Sequence, residues 1–157
     1  MACRVTISAM SLTNDRIEIR RIESKLENAN DNSILFDSET ITKLRNFVFQ
    51  VHSEYEYIVR ILIVKHFLNS DLRLEGKEAI LDKIYYFDKV NLAVCVNENF
   101  PSNAAKSMNY LRNKFAHKDG MQLRYEYNTG AKYLKTLKSL EKYHDKLKTF
   151  EEALTQS

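Results

Sequence analysis

Residues 39–68, ETITKLRNFVFQVHSEYEYIVRILIVKHFL, form the longest periodic stretch of the chain, and their pattern decides the fold. Ile41, Leu44, Val48, Val51, Tyr55, Ile58 and Leu62 recur at alternating steps of three and four, the spacing of one helical face. Phe47, Tyr57, Ile61, Val64 and Leu68 make a second row beside it. A helix apolar over so wide an arc must pack against several neighbours at once. The stretch is therefore expected to be the central helix of a bundle. A bend or break is conceivable near Gln50-Val51-His52-Ser53, but no proline or glycine demands one.

The flanking segments supply the neighbours. Residues 14–29 read as a peripheral first helix, with Ile19, Ile22 and Leu26 as a thin apolar stripe. The polar run Asn28 to Ser33 follows as a loop, after which Asp37 or Ser38 can cap the central helix. Beyond the loop Asn69–Gly76, a single helix is expected from Lys77 to Val96, with Ile80, Leu81, Ile84, Phe87, Leu92 and Val94 as its core face. Pro101 and Ser102 then suit the start of another helix, which Lys118-Asp119-Gly120 should end just after His117. Met121–Tyr127 alternates apolar and polar, which fits either a short extended segment or an ordered loop. Asn128 or Thr129 can cap a final helix from Ala131 to Leu154. The expected architecture is an all-α, up-and-down bundle of about four to five helices, one domain over residues 1–157 with residues 1–13 poorly ordered.

Composition agrees with this class. The 157 residues are 44% hydrophobic and 29% charged, and three glycines with one proline are few for a β-rich chain of this length. No apolar run approaches the ~20 residues of a membrane span, and Met1–Ser8 makes a poor secretory signal, so a cytoplasmic protein is expected. Cys3 and Cys95 lie far apart with no metal-like spacing, so no disulfide, metal or cofactor is expected; Cys95, within Leu92–Val96, reads as a small core residue. A net charge of +3 is too small to define a partner, so only its distribution is informative.

The polar residues that carry chemistry gather in Leu111-Arg112-Asn113-Lys114-Phe115-Ala116-His117. At about 100° per residue, Ala104, Met108, Leu111 and Phe115 share one arc, while Asn109, Arg112, Asn113 and His117 share another about 140° round. The first arc is core and the second faces outward. Arginine is a permanent cation that bonds phosphate through two parallel N–H groups, and histidine moves protons near neutral pH. His117 falls in the last turn, where backbone carbonyls favour a protonated imidazole. On the final helix Tyr133, Leu137, Leu140, His144 and Leu147 form the buried stripe. Lys135, Lys138, Lys142 and Lys146 lie opposite, a row that can follow a phosphate backbone but that also suits a solvated face. His52, His66 and His144 read as structural, and Tyr125 and Tyr127 as aromatics able to stack on a base.

The run Leu-Arg-Asn-Lys-Phe-Ala-His resembles the R-x4-6-H motif of HEPN domains, helical bundles of about this size with the motif late in the chain. The resemblance implies a metal-independent endoribonuclease, a toxin or defence effector, with Arg112, Asn113 and His117 as catalytic residues. Asn109, Lys135, Lys138, Lys142 and Lys146 are the candidate RNA contacts. It also implies a homodimer with a shared cleft, products with a cyclic phosphate, and a nucleotidyltransferase-type antitoxin as partner. Symmetry would supply two Arg and two His to one cleft, and small Ala105 and Ala116 would let the motif helices approach. One common toxin subtype carries Tyr two residues after the His; here Asp119 stands there. Two other readings stay open: a non-catalytic helical regulator similar to the mannitol-operon repressor family, and a nucleotide-binding module that holds phosphates through Arg112 and the lysine row.

Overall fold

The computed structural model describes residues 38–68, 70–127 and 130–156. The expectations for residues 1–13, the helix over 14–29, the loop after it, Cys3 and the caps at Asp37, Asn128 and Thr129 lie outside the described residues. Every element within them is helical: α1 Ser38–Phe67, α2 Leu74–Asp82, α3 Tyr86–Val96, α4 Ser102–His117, α5 Gly120–Glu126 and α6 Gly130–Gln156. The fold is an all-α helical bundle.

α1 is one unbroken helix of 30 residues. Its first apolar row is the better buried. Ile41, Leu44, Val48, Val51, Tyr55 and Leu62 are all buried, whereas Tyr57, Ile61, Val64 and Leu68 of the second row are half-buried. The chain divides into two compact units, residues 1–50 with 112–142 and residues 51–111 with 143–157, and the boundaries fall inside α1, α4 and α6. In the first unit the core joins Leu44, Phe47 and Val48 of α1 to Phe115 of α4, Leu123 of α5 and Leu137 and Leu140 of α6. In the second, Phe100 is edge-on to both Tyr55 (6.4 Å) and Phe150 (5.4 Å), and Val59, Ile63, Leu81, Val90, Ala93, Met108 and Leu147 are also buried. The Tyr55 hydroxyl donates to the Tyr143 carbonyl at 2.5 Å. Burial, with Tyr86 and Tyr143 nearby, pushes the Tyr55 phenol well above its ordinary range.

Two expected elements differ. The single helix over Lys77–Val96 is two helices. α2 ends at a tight turn, where the Lys83 and Ile84 amides donate to the Ile80 and Leu81 carbonyls, and Tyr85 is extended before α3 begins. The break turns Tyr86 inward, its hydroxyl 3.4 Å from the Ala105 carbonyl, while Tyr85 stays 82% exposed. It also spoils the expected apolar face. Of its six residues only Leu81 is buried, and α3 buries Val90 and Ala93 instead. Cys95 is exposed rather than core, because it lies about 160° round α3 from Ala93.

Residues 120–126 form neither a strand nor a loop but the helix α5. Its start is a capping box. The Asp119 carboxylate accepts from the Gln122 amide at 2.8 Å, and the Gln122 side chain accepts from the Asp119 amide at 3.0 Å. Leu123 and Tyr127, four residues apart, share the inward face and are both buried. With only seven residues, α5 is too short to persist without such caps and packing. Replacing Asp119 with Ala should therefore cost about 1 kcal/mol of global stability in denaturant titration. Amide exchange should quicken mainly across 120–126, and unchanged exchange there would show that packing alone holds α5.

Candidate functional site

α4 carries the candidate site. It starts as expected, with the Ala105 amide donating to the Pro101 carbonyl at 3.0 Å, and runs to His117. Ala104, Met108 and Phe115 are buried, and Leu111 is half-buried. Arg112, Asn113, Ala116 and His117 are exposed in the helix's last turns. The Arg112 guanidinium donates through Nη1 to Asn113 Oδ1 at 3.3 Å, so the amide steadies the cation while most of its fork faces solvent.

The last turn is held from three directions, all within the first unit. Arg45 of α1 donates through Nη2 to the Lys118 carbonyl at 3.0 Å, placing a cation at the negative end of the α4 dipole. Lys114 and Lys118, one turn apart, both grip the Glu126 carboxylate of α5. Phe115 stacks on Tyr127 with ring centroids 5.5 Å apart, and the Lys114 ammonium also lies 5.5 Å over the Tyr127 ring. The Tyr127 hydroxyl in turn accepts from Thr136 of α6 at 3.4 Å. Burial alone would raise the Glu126 carboxyl, but hydrogen bonds from Lys114 and Lys118 outweigh it and hold the group below the usual carboxylate range. For Lys114, burial works to lower the ammonium, yet Glu126 and Tyr127 prevail and raise it.

Several expected contacts fall elsewhere. Asn109 is half-buried, and its Oδ1 lies 3.3 Å from His52 Nε2, so its side chain is occupied inside the second unit rather than free on the outward stripe. His52 itself is buried, with the Tyr86 ring 5.2 Å away. Ala105 is fully buried and does not offer a surface for helix approach, whereas Ala116 does. Tyr127 is packed in the core and cannot stack on a base. Among the described residues the exposed aromatics are instead Phe67, Tyr85, Phe87 and Tyr110. His144 is buried with Nε2 3.0 Å from Glu54 Oε2, and the exposed His66 keeps Nδ1 3.2 Å from the Leu62 carbonyl of its own helix. Lys135, Lys138, Lys142 and Lys146 are all exposed, the first three in the first unit and Lys146 in the second.

The residues that sequence spacing misses are Arg45, Lys118 and Glu126, together with the clamping role of Lys114. Their partners lie eight to 73 positions away, beyond any local pattern. The one local signal that could have placed Glu126 on a helix is the Asp119-x-x-Gln122 box, which the strand-or-loop reading of Met121–Tyr127 passes over.

Chemically, the end of α4 offers a solvent-facing guanidinium, an amide and an imidazole on a fixed backbone. That set can bind a phosphate and exchange a proton with it. The class thus defined is an all-α bundle with an exposed Arg-Asn-His constellation at a braced helix end. In comparisons with protein-family models, curated proteins and solved structures, the chain matches none of them. Among the described residues no helix is long and apolar enough to cross a membrane.

The Glu126 clamp has a defined pH signature. Its carboxyl is depressed in the folded state, so the stabilisation is complete above the unfolded carboxylate pKa of about 4.3 and is lost as pH falls through the lower folded value. Glu126→Gln should lower stability at neutral pH, and the gap from the wild type should close below about pH 4. A gap in denaturant midpoints that persists unchanged into acid would contradict the clamp.

Proposed function

We propose that the protein is a metal-independent endoribonuclease, acting as a toxin or defence effector, with Arg112, Asn113 and His117 as its catalytic residues. The observation that carries this is the exposure of all three side chains at a helix end whose backbone is braced by Arg45, Glu126 and Tyr127. Fixed backbone with free functional groups is what positioning catalysis requires.

RNA carries its own nucleophile. A neutral imidazole takes the proton from the 2′-hydroxyl as that oxygen attacks phosphorus. The guanidinium bonds two phosphate oxygens and balances the charge that builds on them. The P–O5′ bond breaks, a protonated imidazole gives its proton to the departing 5′-oxygen, and a 2′,3′-cyclic phosphate remains. One His117 cannot be base and acid in the same event, so the proposal includes a two-fold dimer in which the exposed faces around Arg112, Ala116 and His117 meet. The resemblance to HEPN toxins suggests a nucleotidyltransferase-type antitoxin as partner.

A helical interaction protein is the second reading. It is favoured by exposed apolar side chains of the second unit, Leu74 at 70% and Tyr85 at 82%. The two separate in one assay, with purified wild-type and His117→Ala protein incubated with RNA in excess EDTA. The proposal expects cleavage by the wild type, with cyclic-phosphate ends, and a rate roughly 10²-fold or more lower for the variant. Cleavage by neither, with both folded and dimeric, favours the interaction protein. Equal cleavage by both removes His117 from the chemistry.

A further inference from the structure

We propose that the outward face of α6 carrying Lys135, Lys138 and Lys142 is a track for the phosphate backbone of single-stranded RNA. It takes its substrate class from the ribonuclease reading, but it assigns these lysines to binding alone.

Several cations elsewhere in the described residues are paired with carboxylates. Lys114 and Lys118 share Glu126, Arg60 lies 3.8 Å from both Glu78 and Asp82, and Lys148 lies 3.7 Å from Glu151. The three α6 lysines are exposed, and among the described residues none has a carboxylate partner. Glu141 and Asp145 stand three positions after Lys138 and Lys142, the one-turn spacing of an ordinary solvated face, but the two lysines pair with neither. Leu134 and Ser139 flank the row, and the Ser139 hydroxyl donates back to the Lys135 carbonyl at 3.0 Å.

Geometry suits a chain of phosphates. The lysines fall within about 60° of arc and are spaced about 4.5 and 6 Å along the helix axis. Together with Ala131, Leu134 and Ser139 they line an open depression of about 520 Å³ on the face of α6. An extended strand can lay successive phosphates against such a row while its bases turn away, which gives affinity without sequence preference. The apolar floor at Ala131 and Leu134 lies under the ribose side of the strand. The same unit holds Arg112, Asn113 and His117.

The test measures binding without cleavage. The probe is a labelled single-stranded RNA of about 16 nucleotides, made with 2′-O-methyl groups so that no nucleophile is present, and anisotropy is followed against salt. The proteins are the wild type, the triple variant Lys135→Glu, Lys138→Glu, Lys142→Glu, and a control with the same net-charge change at exposed Lys65, Arg73 and Lys83. Three lost phosphate contacts should make the slope of log affinity against log salt shallower by about 2. Between about 50 and 200 mM salt the wild type should therefore lose about 20-fold more affinity than the triple variant. The control should keep the wild-type slope.

An unchanged slope in the triple variant overturns the track. So does an equal change in the control, which would mean net charge alone matters, or a wild type with no measurable affinity. Ordinary RNA assayed for cleavage in parallel keeps the two proposals apart. Cleavage without lysine-dependent binding leaves the ribonuclease standing and removes the track, and lysine-dependent binding without cleavage does the reverse.

Discussion

The fold depends on burying α1. Thirty residues of helix with apolar groups on two rows cannot be covered by one partner, because a single helix contact shields only a stripe. The solution is visible in the burial pattern, where Leu44, Val48, Val51, Tyr55 and Val59 are fully enclosed along successive turns of α1. Each compact unit contains a portion of α1, of α4 and of α6, so three long helices run through both. Short elements then close what the long ones leave open. α2, α3 and α5 together supply Leu81, Val90, Ala93 and Leu123 to the cores.

That burden explains where the candidate chemistry sits. α4 spends one face on the cores through Ala104, Met108 and Phe115, which leaves the opposite face free of packing duty. At its C-terminal end the backbone would fray without support, since the last four carbonyls of a helix lack partners within it. Arg45 satisfies one of them, and Glu126 ties Lys114 and Lys118 to the helix that follows. The bracing groups occupy one side of the turn. Arg112, Asn113 and His117 occupy the other and stay in solvent. Rigidity and exposure therefore come from different residues, which is the division a positioned site needs.

What was legible in the sequence follows from how local each feature is. The 3.6-residue periodicity of α1, α4 and α6 and the Pro101-Ser102 start of α4 are patterns within one or two turns, and the helices lie where those patterns place them. The break at Lys83–Tyr85 was not legible, because no glycine or proline marks it and the inward turn of Tyr86 toward the Ala105 carbonyl is a tertiary gain. α5 was missed for a different reason. Its alternation over seven residues mimics a strand, and the Asp119–Gln122 capping signature that betrays it lies at its very start. Within the site, spacing alone put Arg112, Asn113 and His117 on the surface but also grouped Asn109 with them. Angular position cannot reveal that His52 waits on a neighbouring helix to take up its amide. The same limit hid Arg45 and Glu126.

The proposed chemistry stands or falls on whether two chains share one cleft, and subunit mixing tests that directly. Wild-type and His117→Ala proteins are co-refolded in equal amounts, and the presence of mixed dimers is verified by native mass spectrometry. A cleft that takes its base from one chain and its acid from the other predicts that mixed dimers are inactive, so that the mixture keeps about a quarter of the cleavage shown by the same total amount of wild type. A mixture in which mixed dimers form yet about half of that cleavage remains, as two independent sites would give, would contradict the shared cleft.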